Sequence, residues 1–258
     1  MISPAQPRIL VSLATYNERD NLAPLLQEIR VYAPTCEILV TDDNSPDGTG
    51  RVADELAAAD PTIHVLHRPG KLGLGTAILG AARFAIENDF DWFVNMDADF
   101  SHHPRYLPAL FAGMADHDVM IGSRYIPGGG SVNWPLSRRL MSQGVNLLVR
   151  LLMGLPARDT SGGFRCYSVA LLRQTNLNKL VSHGYSFQQE VLYRCRRAGG
   201  RIGETPILFE DRRAGRSKAD LYEAIRSVSV ILWIGVRALL HIDGVSSGTY
   251  KEAVVKAN

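Results

Sequence analysis

The chain is poor in cysteine. Cys36, Cys166 and Cys195 are its only three, odd in number and far apart. They offer neither a disulfide framework nor a zinc spacing, so a reducing compartment is expected. Charge of one sign is also missing. The 28 Lys and Arg nearly cancel the 26 Asp and Glu, leaving +2. So small an excess gives no basis for general electrostatic binding to nucleic acid. Long hydrophobic runs are absent too. The longest late run, Val228–Val236, is well short of the ~20 residues a spanning helix needs. The start, "MISPAQPRILVSLATYNE", has no basic segment leading into an apolar stretch, so no signal peptide is expected. There is no internal repeat, low-complexity stretch or clear linker. What the chain does have is 46% hydrophobic residues, enough for a sizeable core in one large domain or two small ones.

The first half alternates between two periodicities. "RILVSLA", "CEILVTDD", "TIHVLHR", "DWFVNMD" and "DVMIGSR" read as short buried strands. Between them, "RDNLAPLLQEIRVYA" places Leu22, Leu25, Leu26 and Ile29 on one helical face. "DGTGRVADELAAA" and "GTAILGAARFAIEND" read as further helices. This order predicts an α/β layer fold with a mostly parallel, Rossmann-like sheet flanked by helices. The second half is less regular. "SVNWPLSRRLMSQGVNLLVRLLMGL" holds an amphipathic helix with an apolar stripe of Met141, Val145, Leu148 and Leu152. Its polar stripe is Arg139, Gln143, Asn146 and Arg150. "DTSGGFRCYS" reads as a turn entering another element, "SFQQEVLYRCRRAGG" as a helix and "RIGETPILFEDR" as strand-like. Residues 218–243 read as a C-terminal amphipathic helix. The expected organisation is one catalytic domain over 1–244, with halves 1–123 and 124–244 and a tail at 245–258.

In such sheets ligands bind beyond the carboxyl ends of the strands. Here those ends are acidic: "TYNE" with Tyr16 and Glu18, then Asp42 and Asp43, then Asp97 and Asp99. Each acid could cap the next helix, and for Asp47 capping is the better reading. Capping explains at most one of Asp97 and Asp99. Paired carboxylates at a strand end suit Mg²⁺ or Mn²⁺, which prefer hard oxygen ligands and leave room for a diphosphate. His102 and His103 are adjacent and cannot easily share one ion, so at least one should cap or pack. Lys71 lies in "PGKLGLG", a loop able to cradle phosphate, although the spacing is neither a Walker loop nor a dinucleotide fingerprint. A cationic set follows: Arg124 at a strand end, Arg138 and Arg139 with Ser142 one helical turn away, Arg165, and Arg212, Arg213, Arg216 and Lys218 in "EDRRAGRSK". Arg196, Arg197 and Arg201 read as ordinary solvated surface. An arginine fork at the ligand edge suits phosphate.

Taken in order, "TYNERDNLAPLL", "DDNSPDGT", "GLGTA", "MDADFSHHP", "GSRYIPGG", "NWPLSRRLMSQGVN", "DTSGGFRCY" and "RRAGRSK" resemble the polyprenyl-phosphate mannose synthase branch of glycosyltransferase family 2, which includes the dolichyl-phosphate mannose synthases. The resemblance covers nearly all of residues 8–235. It implies a glycosyltransferase A-type fold, a nucleotide-sugar donor (usually GDP-mannose) and a polyprenyl phosphate acceptor. It places the metal ligands on Asp97 and Asp99, with a third position on Ser101. It places donor contacts on Tyr16, Glu18, Asp42 and Asp43, and acceptor-phosphate contacts on Arg124, Arg139 and Ser142. Arg212 and Lys218 match basic residues of a loop that closes on the phosphates. Two departures stand out. Ala14 replaces the family's usual Pro, and Asn44 its usual Gly. Asn tolerates positive φ better than most residues, so the turn can survive.

These readings converge on inverting transfer of mannose from GDP-mannose to a polyprenyl phosphate. Metal and basic residues would neutralise the leaving diphosphate. A phosphate monoester acceptor is ionised near neutral pH, with a second pKa of about 6, so no general base is assigned. The rivals are a family 2 transferase using UDP-glucose or a UDP-hexosamine, a nucleotidyltransferase, and a non-catalytic scaffold. The expected location is cytoplasmic and peripheral on a membrane face. Trp233, flanked by Arg226 and Arg237, would touch the interface, and a membrane-anchoring partner fits the same picture.

Overall fold

The computed structural model describes residues 6–180, 182, 184, 186–210, 232 and 235. The chain begins β1 (Ile9–Thr15), α1 (Arg19–Tyr32), β2 (Glu37–Asp42), α2 (Thr49–Ala59), β3 (Ile63–His67), α3 (Leu74–Glu87) and β4 (Trp92–Asp97). It continues with α4 (Leu107–Gly113), β5 (Val119–Ser123), β6 (Gly130–Ser131), α5 (Leu136–Met153) and β7 (Arg165–Ser168). Then come α6 (Val169–Gln174), α7 (Phe187–Arg197), β8 (Ile202–Pro206) and β9 (Leu208–Phe209). The main sheet has seven strands in the order β3-β2-β1-β4-β7-β5-β8. All its pairings are parallel except those of β7, which runs antiparallel to both β4 and β5. That one reversed strand sits between β4 and β5. β6 and β9 form a separate short parallel pair.

Alternation along the strands divides the core between the two sheet faces. Leu10, Leu39 and Phe93 pack with Ala81 of α3, Val149 of α5, Leu171 of α6 and Leu192 of α7. Their sequence neighbours Val11, Ile38 and Val94 face the other way, toward Leu25 of α1, Ala53 of α2 and Leu110 of α4. The α1 face expected from spacing is the one buried: Leu22, Leu25, Leu26 and Ile29. The expected mostly parallel sheet flanked by helices is present. The C-terminal helix expected over 218–243 lies outside the described residues except at Leu232 and Gly235.

α5 departs from its expected orientation. Met141 and Leu148, assigned to the apolar stripe, are exposed, while Asn146 from the polar stripe is buried with Val149 and Met153. The reason is polar. Asn146 Oδ1 accepts from Thr160 N at 2.7 Å, Thr160 Oγ1 at 2.8 Å and Ser161 N at 3.1 Å. Its Nδ2 donates to Ser161 Oγ at 3.1 Å. One carboxamide thus supplies the hydrogen bonds of a buried turn, and the helix rotates to deliver it. Asn146→Ala strips those donors of their acceptor and should cost about 1–3 kcal/mol. Urea denaturation should show a lower midpoint with an unchanged slope.

Candidate active site

The ends of β1 and β2 make one wall of the site. Asp42 is buried and saturated. Its Oδ1 accepts from Thr15 Oγ1 at 3.0 Å and from Ser45 Oγ at 2.5 Å, and its Oδ2 accepts from Ser45 N at 3.0 Å. A Cβ on Gly50 would lie 2.9 Å from Asp42 Oδ2, so only glycine lets the first turn of α2 come this close. Asn44 adopts φ +56°, as the turn requires of the residue standing in for glycine. Asp43 Oδ1 lies 2.6 Å from Arg68 Nη1, a buried ion pair. Burial raises the Asp43 carboxyl above its usual range, even though Arg68 and the Leu72 N–H pull it down. Leu72 thereby ties the 69–73 loop to β2. In that loop the Lys71 ammonium sits 5.0 Å from the centre of the Tyr16 ring. Glu18 is half-buried, and its backbone N–H donates to Thr49 Oγ1 at 2.9 Å. Asp47 accepts from Thr49 N at 2.9 Å and Arg19 N at 3.2 Å, the capping role expected for it.

At the end of β4 the two aspartates differ. The Asp97 side chain is 34% exposed, whereas Asp99 is buried. Asp99 Oδ1 accepts from Ser101 N at 3.1 Å and Ser101 Oγ at 2.6 Å. Phe100 between them holds φ +64°, an uncommon backbone state for a bulky residue and one that clusters at functional sites. His102 is buried. It stacks on Phe164 with centroids 5.2 Å apart and accepts from Asp97 N at Nδ1, 3.0 Å away. Since Nδ1 accepts there, its 3.6 Å approach to Asp97 Oδ2 is not a hydrogen-bonded ion pair. His103 Nδ1 accepts from Arg105 N at 3.2 Å and caps the turn at Pro104–Tyr106. Both histidines therefore pack or cap. Two carboxylates with the Ser101 hydroxyl beside them are hard oxygen donors, and the exposed face of Asp97 leaves room for substrate oxygens. The set fits Mg²⁺ or Mn²⁺.

Beyond β5 stands the cationic set. Arg124 is nearly buried. Nε and Nη2 grip Asp159 at 2.7 and 2.8 Å, and Nη2 also donates to Ser161 Oγ at 2.8 Å. Trp134 and Phe209 present ring faces 5.4 and 5.6 Å from the guanidinium. Burial alone would raise the Asp159 carboxyl. Arg124, with the backbone N–H groups of Arg124 and Gly162, outweighs that and holds it below the usual range. Burial likewise disfavours the Arg124 charge, but Asp159, helped by Tyr125 and Asp97, raises its pKa further. Ser142 Oγ accepts from Tyr125 Oη at 2.6 Å. Arg139 is exposed and donates from Nη2 to Ser131 O. Arg138 lies 3.9 Å above Trp134. Arg212 and Lys218 lie outside the described residues.

Residues 11–181 match the profile of the family described as "Glycosyl transferase family 2". The chain belongs to that family. It is 42% identical over 240 residues to a Micrococcus luteus protein named undecaprenyl-phosphate mannosyltransferase, covering 90% of this chain and 99% of the relative. It is also 42% identical over 219 residues to a Mycolicibacterium smegmatis protein named polyprenol monophosphomannose synthase, covering 84% and 82%. Among solved structures, a Pyrobaculum calidifontis mannosyltransferase in complex with GDP-Man and Mn²⁺ superposes with a TM-score of 0.56 at 16% identity, covering 98% of this chain and 79% of the other. The fold is the glycosyltransferase A type.

Several residues that shape this transferase's site carried no signal of their own. Arg165, grouped with the phosphate-binding cations, is completely buried. It clamps the 159–163 turn by donating to Thr160 O at 2.7 Å, Gly162 O at 2.7 Å and Gln188 O at 2.6 Å. Glu204 accepts from Arg158 N and Asp159 N at 2.8 and 2.9 Å. Asp159 sat in plain view in "DTSGG" but read as a turn former; its arginine lies 35 residues earlier. Asp159→Asn leaves a buried guanidinium uncompensated and should cost about 3–5 kcal/mol in denaturant titration. The Asp159 pKa is depressed in the fold. The pair's contribution is therefore present above the unfolded carboxyl value of about 3.9 and lost as pH falls through the lower folded value. Wild type should lose stability there more steeply than the variant.

Proposed function

We propose that the chain transfers a mannosyl residue, with inversion, from GDP-mannose to a polyprenyl phosphate. The carrying observation is a cation-fitting carboxylate pair and an anion-fitting set of basic and hydroxyl groups along one sheet edge. The aspartates at the end of β4 face the donor side. Arg124, with Arg139 and Ser142 of α5, forms the acceptor side in this reading, and the Asp97 charge favours the Arg124 cation. The names of the two relatives supply the sugar and the lipid.

In this reading the walls at Tyr16, Glu18, Asp42, Asp43 and Lys71 bind the nucleotide part of the donor. Asp97, Asp99 and Ser101 hold a divalent cation, which when bound supplies positive charge to the leaving diphosphate. Arg139 and Ser142, three residues apart on α5, reach one acceptor phosphate together. Ser142 already accepts from Tyr125, so its own O–H can donate to the phosphate. Arg124, its Nε–Nη2 fork closed on Asp159, adds positive charge beside the acceptor phosphate. Arg212 and Lys218, outside the described residues, are assigned to the phosphates by the resemblance alone. The acceptor, ionised near pH 7, needs no proton removed. The acid at the start of α7 fits that: Glu190 is buried, accepting from Ser182 N at 2.8 Å and pairing with Arg194 at 2.8 Å, and serves the fold. The enzyme works peripherally at a membrane, where its lipid substrate lies.

Asp97→Ala and Asp99→Ala should each remove turnover of labelled GDP-mannose onto a short polyprenyl phosphate, with native circular dichroism retained. Chelator should silence the wild type. Parallel arms with UDP-glucose and a UDP-hexosamine should give no product; lipid-linked glucose would transfer the reading to that donor. Arg139→Ala should lose roughly ten- to a hundredfold in acceptor kcat/KM, matching one charged hydrogen bond of about 1.5–3 kcal/mol. Donor binding by calorimetry should change little.

A further inference from the structure

β9 is only two residues long, Leu208–Phe209, yet contacts reach it from both sides of the site. Leu208 N donates to Tyr106 Oη at 3.0 Å, and Glu210 pairs with Arg105 at 3.2 Å. Both partners belong to the turn that follows the β4 aspartates. On the other side β9 pairs with β6, and Phe209 O accepts from Val132 N at 2.8 Å. Ser131 of β6 in turn accepts from Arg139. The Phe209 side chain repeats this bridge. Its ring meets the His102 ring edge to face with centroids 5.5 Å apart, and the Trp134 ring in the same way at 5.5 Å. The Arg124 guanidinium carbon lies 5.6 Å from the same ring centre. Phe209 is half-buried and joins neither of the two core clusters, so general core packing does not account for it.

We propose that Phe209 is a positioning residue shared by the carboxylate end and the cationic end of the site. Toward β4 it acts through His102. That ring is wedged between the Phe164 face, 5.2 Å away, and the Phe209 ring. So held, His102 Nδ1 accepts from Asp97 N at 3.0 Å. A ring packed on both sides cannot turn away, and the Asp97 backbone keeps its direction. The turn needs such a pin, because Phe100 within it holds φ +64°. Toward β5 Phe209 acts through Trp134. The guanidinium carbons of Arg124 and Arg138 lie 5.4 and 3.9 Å from the Trp134 ring centre. Edge-to-face rings and cations seated on rings hold geometry without occupying an oxygen that a substrate or metal would need. Phe209 itself has no group that ligates metal or phosphate. Its part is to keep the two ends at a fixed separation, which transfer between two bound substrates requires. The inference rests on the lipid-phosphate reading for what the cationic end binds, and on the packing alone for the link.

The test is ligand binding by the full chain, measured without turnover. Mn²⁺ with GDP, and separately a water-soluble short-chain prenyl phosphate, are titrated by calorimetry. Phe209→Leu keeps apolar bulk and removes the ring, whereas Phe209→Tyr keeps the ring. Leu208→Ala, on the same strand, is the control. The leucine variant should bind both ligands about three- to tenfold more weakly, the scale of a lost aromatic contact, with thermal melting unchanged. The tyrosine variant and the control should match wild type at both ligands. If the leucine variant melts early, Phe209→Met takes its place in the same comparison. Weakening of one ligand alone, of neither, or to the same degree in the leucine and tyrosine variants overturns the inference. If both ligands bind, and both weaken with the ring, yet no mannose is transferred, the positioning role stands and the proposed function falls. If mannose is transferred and the leucine variant binds as wild type does, the proposed function stands and the positioning role falls.

Discussion

The buried pair of Arg124 and Asp159 is the contact on which the β5 edge of the candidate site depends. A guanidinium fork closed on a carboxylate at 2.7 and 2.8 Å fixes direction as well as distance, because both groups are planar. It pins the end of β5 to the turn that precedes β7, the one antiparallel strand in the sheet. The pair is not primarily a source of stability. Desolvating two ions offsets much of their attraction. Its effect is positional: it holds a charge that would otherwise seek water at the edge where a second anionic substrate must arrive.

Around that pair, charged and amide side chains satisfy the backbone of the buried turn. Glu204 accepts the N–H groups of residues 158 and 159, Asn146 those of 160 and 161, and Arg165 donates to the carbonyls of 160 and 162. A loop this buried has no water to serve it, so side chains must. The consequence is a turn fully hydrogen-bonded by side chains. The ends of β1 and β2 are built alike, with Asp42 saturated by Thr15 and Ser45. Asp97, by contrast, keeps a third of its side chain exposed, which suits a group that must meet substrate.

α5 links the two themes. It turns Asn146 inward to supply the buried turn, and the rotation puts Leu140, Leu147 and Leu151 outward. Hydrophobic spacing alone predicted the reverse for Met141 and Leu148. An isolated helix would bury its apolar stripe; this one buries a carboxamide because three donors in the turn require an acceptor.

The alternation of strands and helices, the acidic strand ends and the α1 core face were legible because each depends on spacing within a few residues, which the pleat and the helical pitch convert directly into a face. The capping of the Pro104 turn by His103 and of α2 by Asp47 belongs to the same local class. The reversal of β7, the pairing of residues 124 and 159, the burial of Arg165 and the rotation of α5 were not legible. Each joins groups remote along the chain, and a charged or amide side chain is assigned to water or to the interior only by the partner that the tertiary fold brings to it.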